Sequence, residues 1–251
     1  MNLLIVQARM GSSRLPGKVL MKINGITILE HLFKRLKYSR SIDKIVVATT
    51  FNFEDNEIEL LCKSIGVDCY RGSDWDVLDR FFQTAKKFNP LNIIRVTSDC
   101  PLNHFSVVDF SVDQFLSSSL DYFSNSNNEP DYLEDGFDVE VFSFKALETA
   151  WQEANLMSER EHVTPYIKNS GKFKCGWKKF SNDYQYKLSV DTQEDFNVVS
   201  EIFGKFSKHK DFGMIEILEL LKSNPEILSI NHSSEINSGY KKSLQFDKKI
   251  K

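Results

Sequence analysis

Apolar residues along the first hundred positions follow two alternating rhythms. Leu3-Leu4-Ile5-Val6, Lys44-Ile45-Val46-Val47-Ala48-Thr49 and Asn92-Ile93-Ile94-Arg95-Val96 are short runs of buried-strand type, and Gly66-Val67-Asp68-Cys69-Tyr70 is a weaker one. Between them the period lengthens to that of a helix. Ile28, Leu29, Leu32, Phe33 and Leu36 fall on one face after the Asn24-Gly25 turn, and a second helix is predicted over about Asp55 to Ser64. Val77, Leu78, Phe81, Phe82, Ala85 and Phe88 mark a third, which stops near Asn89-Pro90. Strands alternating with amphipathic helices predict an α/β chain with a mostly parallel sheet and helices on both faces.

The pattern loosens after residue 117. Ser117 to Pro130 is rich in Ser and Asn and reads as a loop, with Tyr122-Phe123 a strand candidate inside it. Asp138-Val139-Glu140-Val141-Phe142 alternates as a strand with one polar face, and Lys145 to Leu156 is helical. Ser158-Glu159-Arg160-Glu161 has the form of a capping box, and Pro165 should cut or kink the helix it opens. Phe173 to Phe180 and Lys187-Leu188-Ser189-Val190 are further strand candidates. Thr192 then caps a helix that turns Phe196, Val199, Ile202, Phe203 and Phe206 inward, with Asp195 in its first turn. Met214 to Leu221 is a last apolar helix, and the polar, lysine-rich stretch from Ser233 predicts a loose tail. We expect one domain over 1–230, an excursion at 117–180 and a tail at 231–251.

Composition narrows the function. A chain of 251 residues with 41% hydrophobic content and twenty Phe can bury the core of one large domain. Its net charge is only −3, so neither nucleic acid nor an anionic membrane is an expected partner, and any polyanion must meet a local site. No apolar run approaches the ~20 residues that cross a bilayer, and no signal peptide precedes the first strand. Cys62, Cys69, Cys100 and Cys175 lack the paired spacing of a zinc site, so free thiols in a reducing cytoplasm are expected.

The first strand empties into Gln7-Ala8-Arg9-Met10-Gly11-Ser12-Ser13-Arg14-Leu15-Pro16-Gly17-Lys18. A buried strand followed by small residues, three spaced cations and no acid offers backbone N–H groups and positive charge to a polyphosphate. The spacing is not that of a Walker A loop: five residues separate Gly11 from Gly17, and Val19 follows Lys18. A nucleoside triphosphate is the leading ligand, and an ordinary solvated turn is the other reading. Asp99 and Asp191 each end an apolar run in a polar turn, and two carboxylates on one rim would suit Mg²⁺ with water and phosphate completing its shell. A turn or helix cap is the alternative role for each, for Asp191 above all, because Thr192 follows it.

With these residues in view, the chain resembles the cytidylyltransferase family typified by the spore-coat polysaccharide protein SpsF. More distantly it is similar to the CMP-Kdo and CMP-sialic acid synthetases. The Gln7–Lys18 loop carries the match. Arg71-Gly72-Ser73 with Asp76-Val77-Leu78-Asp79-Arg80 supports it, as do Arg95-Val96-Thr97-Ser98-Asp99-Cys100-Pro101-Leu102 and Asp138-Val139-Glu140-Val141-Phe142. So do Arg160-Glu161-His162-Val163-Thr164-Pro165-Tyr166, Val190-Asp191-Thr192-Gln193-Glu194-Asp195 and the tail's Asn237-Ser238-Gly239-Tyr240.

The resemblance implies a nucleotide-diphospho-sugar transferase-like fold and transfer of CMP from CTP to an acidic sugar, with Mg²⁺ and loss of pyrophosphate. It places Ala8 and Arg9 against base and phosphates and lines the phosphates with Gly11, Ser12 and Ser13. Arg14 and Lys18 would clamp the triphosphate, Arg71 and Ser73 would lie near the nucleotide, and Asp99 with Asp191 would hold the metal. Lys18, Arg14 and Asp99 are thus the expected catalytic groups. Glu140 and Asp138 are candidate contacts for acceptor hydroxyls, and His162 a weaker one. The distant relatives suggest an acceptor site and a homodimer interface in the 117–180 excursion. A CDP-forming transferase acting on a phosphorylated alditol or phosphonate, and a nucleotide-binding module without turnover, are the competing functions.

Overall fold

β1 (Asn2–Gln7) is the hub of the architecture, because its four central residues are apolar and wholly buried. In the computed structural model, which describes residues 1–126, 135–178, 186–207, 211–236 and 238–250, it lies parallel between β4 (Lys44–Thr50) and β6 (Asn92–Thr97). The small hairpin of β2 (Lys22–Ile23) and β3 (Ile26–Thr27) precedes β4, turning on Asn24 and Gly25 at φ of 52° and 80°. β5 (Asp68–Gly72) edges the sheet beyond β4. On the other side come β8 (Glu140–Ser143), β7 (Tyr122–Ser124) and β9 (Cys175–Trp177), giving the order β5-β4-β1-β6-β8-β7-β9. β8 alone runs against its two neighbours. The described residues of the 117–180 segment thus extend the main sheet through β7, β8 and β9.

The two faces of this sheet bury separate cores. Leu4, Val6, Val47, Ile94 and Val96 point to one side, where α1 (Ile28–Leu36), α2 (Asn56–Ile65), α4 (Phe105–Ser117), α8 (Gln193–Lys205) and α9 (Met214–Ser223) cover them. Leu3, Ile5, Val46 and Ile93 point to the other, under α3 (Val77–Phe88), α5 (Phe144–Glu153) and α7 (Pro165–Asn169), with α6 (Met157–His162) packed beside α3. This is the period-two alternation of a sheet buried on both sides. Short α10 (Glu226–Ser229) and α11 (Ser238–Gln245) follow. Among the described residues no helix is long and apolar enough to cross a membrane.

Three local expectations change. Ser158 is not a cap: α6 starts a residue earlier, and Glu159 reaches back to the amides of Asn155 and Leu156 at 2.9 and 3.0 Å. Lys187-Leu188-Ser189-Val190 pairs only through an isolated bridge, Asp135 to Lys187. The end of the Phe173–Phe180 segment, the end of the Ser117–Pro130 loop and Asn237 lie outside the described residues. The tail folds as α11 and is tied to α6. Asp247 accepts from the Ser158 amide and hydroxyl at 2.9 and 2.6 Å, and the Met157 amide donates to the Lys248 carbonyl at 2.9 Å. Polarity hid this docking, because it is made by hydrogen bonds and not by an apolar stripe.

Candidate active site

The chain runs β1, β4, β5 outward on one side and returns across β1 to β6, so the strand order reverses between β1 and β6. In open α/β sheets a ligand crevice forms beyond the carboxyl ends of strands at such a point. The Ala8–Gly17 loop leaves β1 there, and Asp99 follows β6 by two residues. The loop is shaped by its own backbone: the Met10 carbonyl accepts from the amides of Ser12 and Gly17, both at 2.9 Å. Gly17 turns the chain at φ 72° and delivers Lys18 inward. Asp55, which is buried, accepts from the Met10 amide at 2.7 Å and pins the loop to the end of β4. The amides of Gly11 and Ser13 donate to no described residue. A Cβ on Gly11 would meet nothing within 4 Å, so open space lies against the loop.

Lys18 is the centre of the site. Its buried ammonium donates to Asp99 Oδ2 at 2.9 Å, Asp191 Oδ1 at 3.0 Å and the Val190 carbonyl at 2.6 Å. Burial alone would lower its pKa, but the two carboxylates outweigh it and hold it above the usual lysine value. Burial would likewise raise Asp99 and Asp191, and Lys18 brings both below the ordinary carboxylate range. The Val190 amide donates to the Asp99 carbonyl at 2.8 Å, which fixes the two acidic turns together. Asp191 is not a cap: Thr192 takes that role, and Asp195 closes the box by accepting from the Asp191 and Thr192 amides. That leaves the Asp191 carboxylate to Lys18, to Arg14 Nη2 at 2.9 Å and to Lys187 Nζ at 2.8 Å.

Two carboxylates converging on one cation are the donor set that Mg²⁺ takes in a nucleotide site, hard oxygens with room for phosphate and water. Among the described residues no group of three or more His, Cys, Asp or Glu side chains is arranged to hold a metal. An ion held by Asp99 and Asp191 alone would need phosphate and water to complete its shell.

The other expected residues fall in three places. Ala8 is buried and closes the β1–β4 ladder by donating to Ala48, and Arg9 lies exposed on Asp74 at 3.1 Å. Ser12 and Ser13 stand on the loop's accessible side with Gly11 and Arg14. Arg71 is not brought to the loop. Its guanidinium donates to the carbonyls of Thr50 and Asn52 at 2.8 and 2.7 Å and to Asn56 and Glu59, so it braces the turn that carries Asp55. Ser73 Oγ accepts from the Asp76 amide at 3.1 Å and shapes the turn into α3.

Sequence reasoning missed Lys187, Asp135 and Arg80. Lys187 lies in a strand candidate, yet its ammonium joins Asp135 at 3.1 Å to Asp191. Arg80 is 2% exposed, donates to the Ser73 carbonyl at 2.6 Å, and forms no ion pair with a described carboxylate. Its Nε is buried without a partner, and burial together with the nearby Arg9 pushes its pKa down to about 10. Gly72 makes room for it, since a Cβ there would meet the Arg80 stem at 3.0 Å. A charged residue inside the apolar face of a helix was the available signal.

A family model described as cytidylyltransferase matches residues 3–234. An uncharacterized protein of Methanocaldococcus jannaschii is 41% identical over 234 residues, covering 90% of this chain and 93% of the relative. The spore coat polysaccharide biosynthesis protein SpsF of Bacillus subtilis is 31% identical over 238 residues, covering 89% and 95%. A cytidylyltransferase structure from Leptospira borgpetersenii superposes with a TM-score of 0.86 at 34% identity, over 94% of this chain and 98% of that one. The CTP complex of a CMP:2-keto-3-deoxy-manno-octonic acid synthetase shares the fold at a TM-score of 0.62 and 17% identity, over 81% and 98%.

Proposed function

The chain belongs to the cytidylyltransferase family, and on that premise we propose that it transfers CMP from CTP to a carboxylate-bearing sugar, releasing pyrophosphate, for a surface polysaccharide. The observation that carries the reading is the Lys18 ammonium held between Asp99 and Asp191 at the mouth of an acid-free loop with unspent amides. Displacement at the α-phosphorus needs alignment and cationic stabilisation more than covalent chemistry. Gly11, Ser12 and Ser13 line the phosphates, Arg14 and Lys18 clamp them, and Lys18 meets the charge that develops in flight. Asp99 and Asp191 would hold Mg²⁺, which neutralises phosphate charge and makes pyrophosphate a better leaving group. Relatives named for polysaccharide and octulosonate chemistry support the acceptor class. The four free thiols support the cytoplasm as the compartment.

Arg80 extends this site. The Arg80 guanidinium is buried with Asp74, Asp55 and Asp76 near it but none in ion-pair contact, so its charge is only partly compensated and would favour an anionic ligand. Arg80→Met should therefore leave the empty protein as stable or slightly more so, while raising KM for CTP at least ~10-fold, about 1.4 kcal/mol. Thermal unfolding with and without CTP checks this. A fall in stability without nucleotide, with KM unchanged, would make Arg80 structural.

The function is tested by pyrophosphate release from CTP and Mg²⁺ across a panel of acceptors. Release with a 2-keto sugar acid and none with neutral sugars is the expected result. Release only with a phosphorylated alditol would replace the acceptor class, and no release with any acceptor would sink the reading.

A further inference from the structure

Two of the cysteines meet outside the candidate active site. Cys62 lies in the last turn of α2 and is wholly buried. Its carbonyl accepts from the amides of Gly66 and Val67, and Gly66, at φ 71°, turns the chain back into β5. Cys69, the second residue of β5, sits opposite Val47 of β4 and packs on the same apolar layer as Cys62. This helix–turn–strand hairpin brings the sulfurs together, and the Cys62 thiol donates a hydrogen bond to Cys69 Sγ. Cys100 bonds instead to Thr97 and Asp99, and Cys175 to the carbonyls of Ile167 and Phe173.

The two sulfurs differ in reactivity. Cys69 is half-buried, whereas Cys62 is sealed beneath it. The hydrogen bond from Cys62 holds the Cys69 thiol below its usual pKa, against burial and the charge of Glu59, and the Arg71 guanidinium helps. The same bond, with burial, pushes Cys62 up. Cys69 is thus the better nucleophile, with a protonated thiol held in contact behind it.

The pair also adjoins the frame of the nucleotide loop. Two residues beyond Cys69, Arg71 ties β5 to Asn56 and Glu59 of α2 and to the carbonyls of Thr50 and Asn52. That turn carries Asp55, which holds the Met10 amide. A disulfide sets its sulfurs about 2.05 Å apart, well inside hydrogen-bonding contact. Closing one must draw α2 and β5 together where Arg71 now spans them.

We propose that Cys62 and Cys69 form an oxidation site, which hydroperoxides convert to a disulfide that weakens CTP binding. The Cys69 sulfur attacks the peroxide; an S–O bond forms, the O–O bond breaks, and ROH leaves with the Cys69 proton. The Cys62 sulfur then attacks Cys69, the S–S bond forms as S–O breaks, and the hydroxyl leaves as water with the Cys62 proton. The two thiols supply the two electrons that reduce the peroxide. Dithiol reductants reverse the bond, as befits a sensing and not a structural disulfide. The bond itself is independent of the transferase reading, while its effect on CTP rests on that reading, so the two are measured apart.

The full-length protein is treated with hydrogen peroxide, alkylated, digested and read by mass spectrometry. Trypsin cuts after Lys63, so the disulfide holds peptides 45–63 and 64–71 together. We expect this cross-link to form at least ~10-fold faster than Cys100 or Cys175 is oxidised, and dithiothreitol to reverse it. Cys62→Ala should leave Cys69 as a sulfenic acid that dimedone traps, and Cys69→Ser should abolish both products. Calorimetric titration with CTP and Mg²⁺ should give a Kd at least ~5-fold higher for the oxidised protein, and no effect of peroxide on Cys69→Ser. Oxidation of Cys62, Cys69, Cys100 and Cys175 at similar rates, or dimedone adducts on Cys62 in place of Cys69, overturns the site. A disulfide that forms with the Kd unmoved overturns its link to the nucleotide loop. Reduced protein that binds no CTP removes the transferase reading and leaves the thiol chemistry standing.

Discussion

Lys18→Met should lower turnover at least ~10²-fold and destabilise the fold by about 3–5 kcal/mol. Both effects follow from one geometry. The ammonium satisfies Asp99, Asp191 and the Val190 carbonyl together, across 81 to 173 residues of sequence. On the proposed mechanism, removing it strips charge stabilisation from the reacting phosphate; in the fold it leaves two partly buried carboxylates facing each other, with only Asp191 retaining Arg14 and Lys187. The pH response gives a second readout. In the native protein both carboxylates lie below their unfolded value of 3.8, so their contribution is present above that pH and is lost as pH falls through the lower folded values. In the variant this loss should begin at higher pH. Urea unfolding at several pH values and single-turnover pyrophosphate release measure the two effects. A variant with wild-type kcat would remove Lys18 from the chemistry.

Arg160→Met should cost about 3–5 kcal/mol and lower Tm by about 10 °C, without altering the Ala8–Gly17 loop. Arg160 Nε lies 3.0 Å from both oxygens of Asp76, and its Nη2 is 2.6 Å from Oδ2. Nη1 donates to the Trp151 carbonyl at 2.7 Å. Asp76 also caps α3, accepting from the Asp79 amide at 2.9 Å, so one carboxylate joins the start of α3 to α6. Removal of the guanidinium leaves a buried, uncompensated acid. Asp76→Asn in the same background should recover part of the loss, because the remaining partner is then neutral. Calorimetry of the single and double variants decides: equal Tm values in wild type and Arg160→Met would show the pair to be neutral.

Elements whose position is set by apolar burial were legible in the chain. β1, β4 and β6 are unbroken apolar runs because both faces of the sheet are covered, and α1, α3 and α8 display single apolar faces. The loop with Lys18 and the place of Asp99 were legible because the ends of β1 and β6 carry them to one rim, and Asp191 meets them through the Val190 amide on the Asp99 carbonyl, not from a strand end. Contacts fixed by partners far away in sequence were not. Nothing near Arg71 in the sequence shows that its guanidinium engages Thr50, Asn52, Asn56 and Glu59. Arg80 looks like a helix-surface arginine until its burial is measured. The docking of α11 depends on Asp247 meeting Ser158, and nothing in the local pattern of either segment announces that pair.

The two cores on opposite faces of the sheet have an evolutionary consequence. Lys18, Asp99 and Asp191 rest on one of them, and His162, Thr164 and Lys168 on the other. Substitutions that reshape the second layer need not disturb packing beneath the first. Selection can then vary one layer while the other is inherited unchanged.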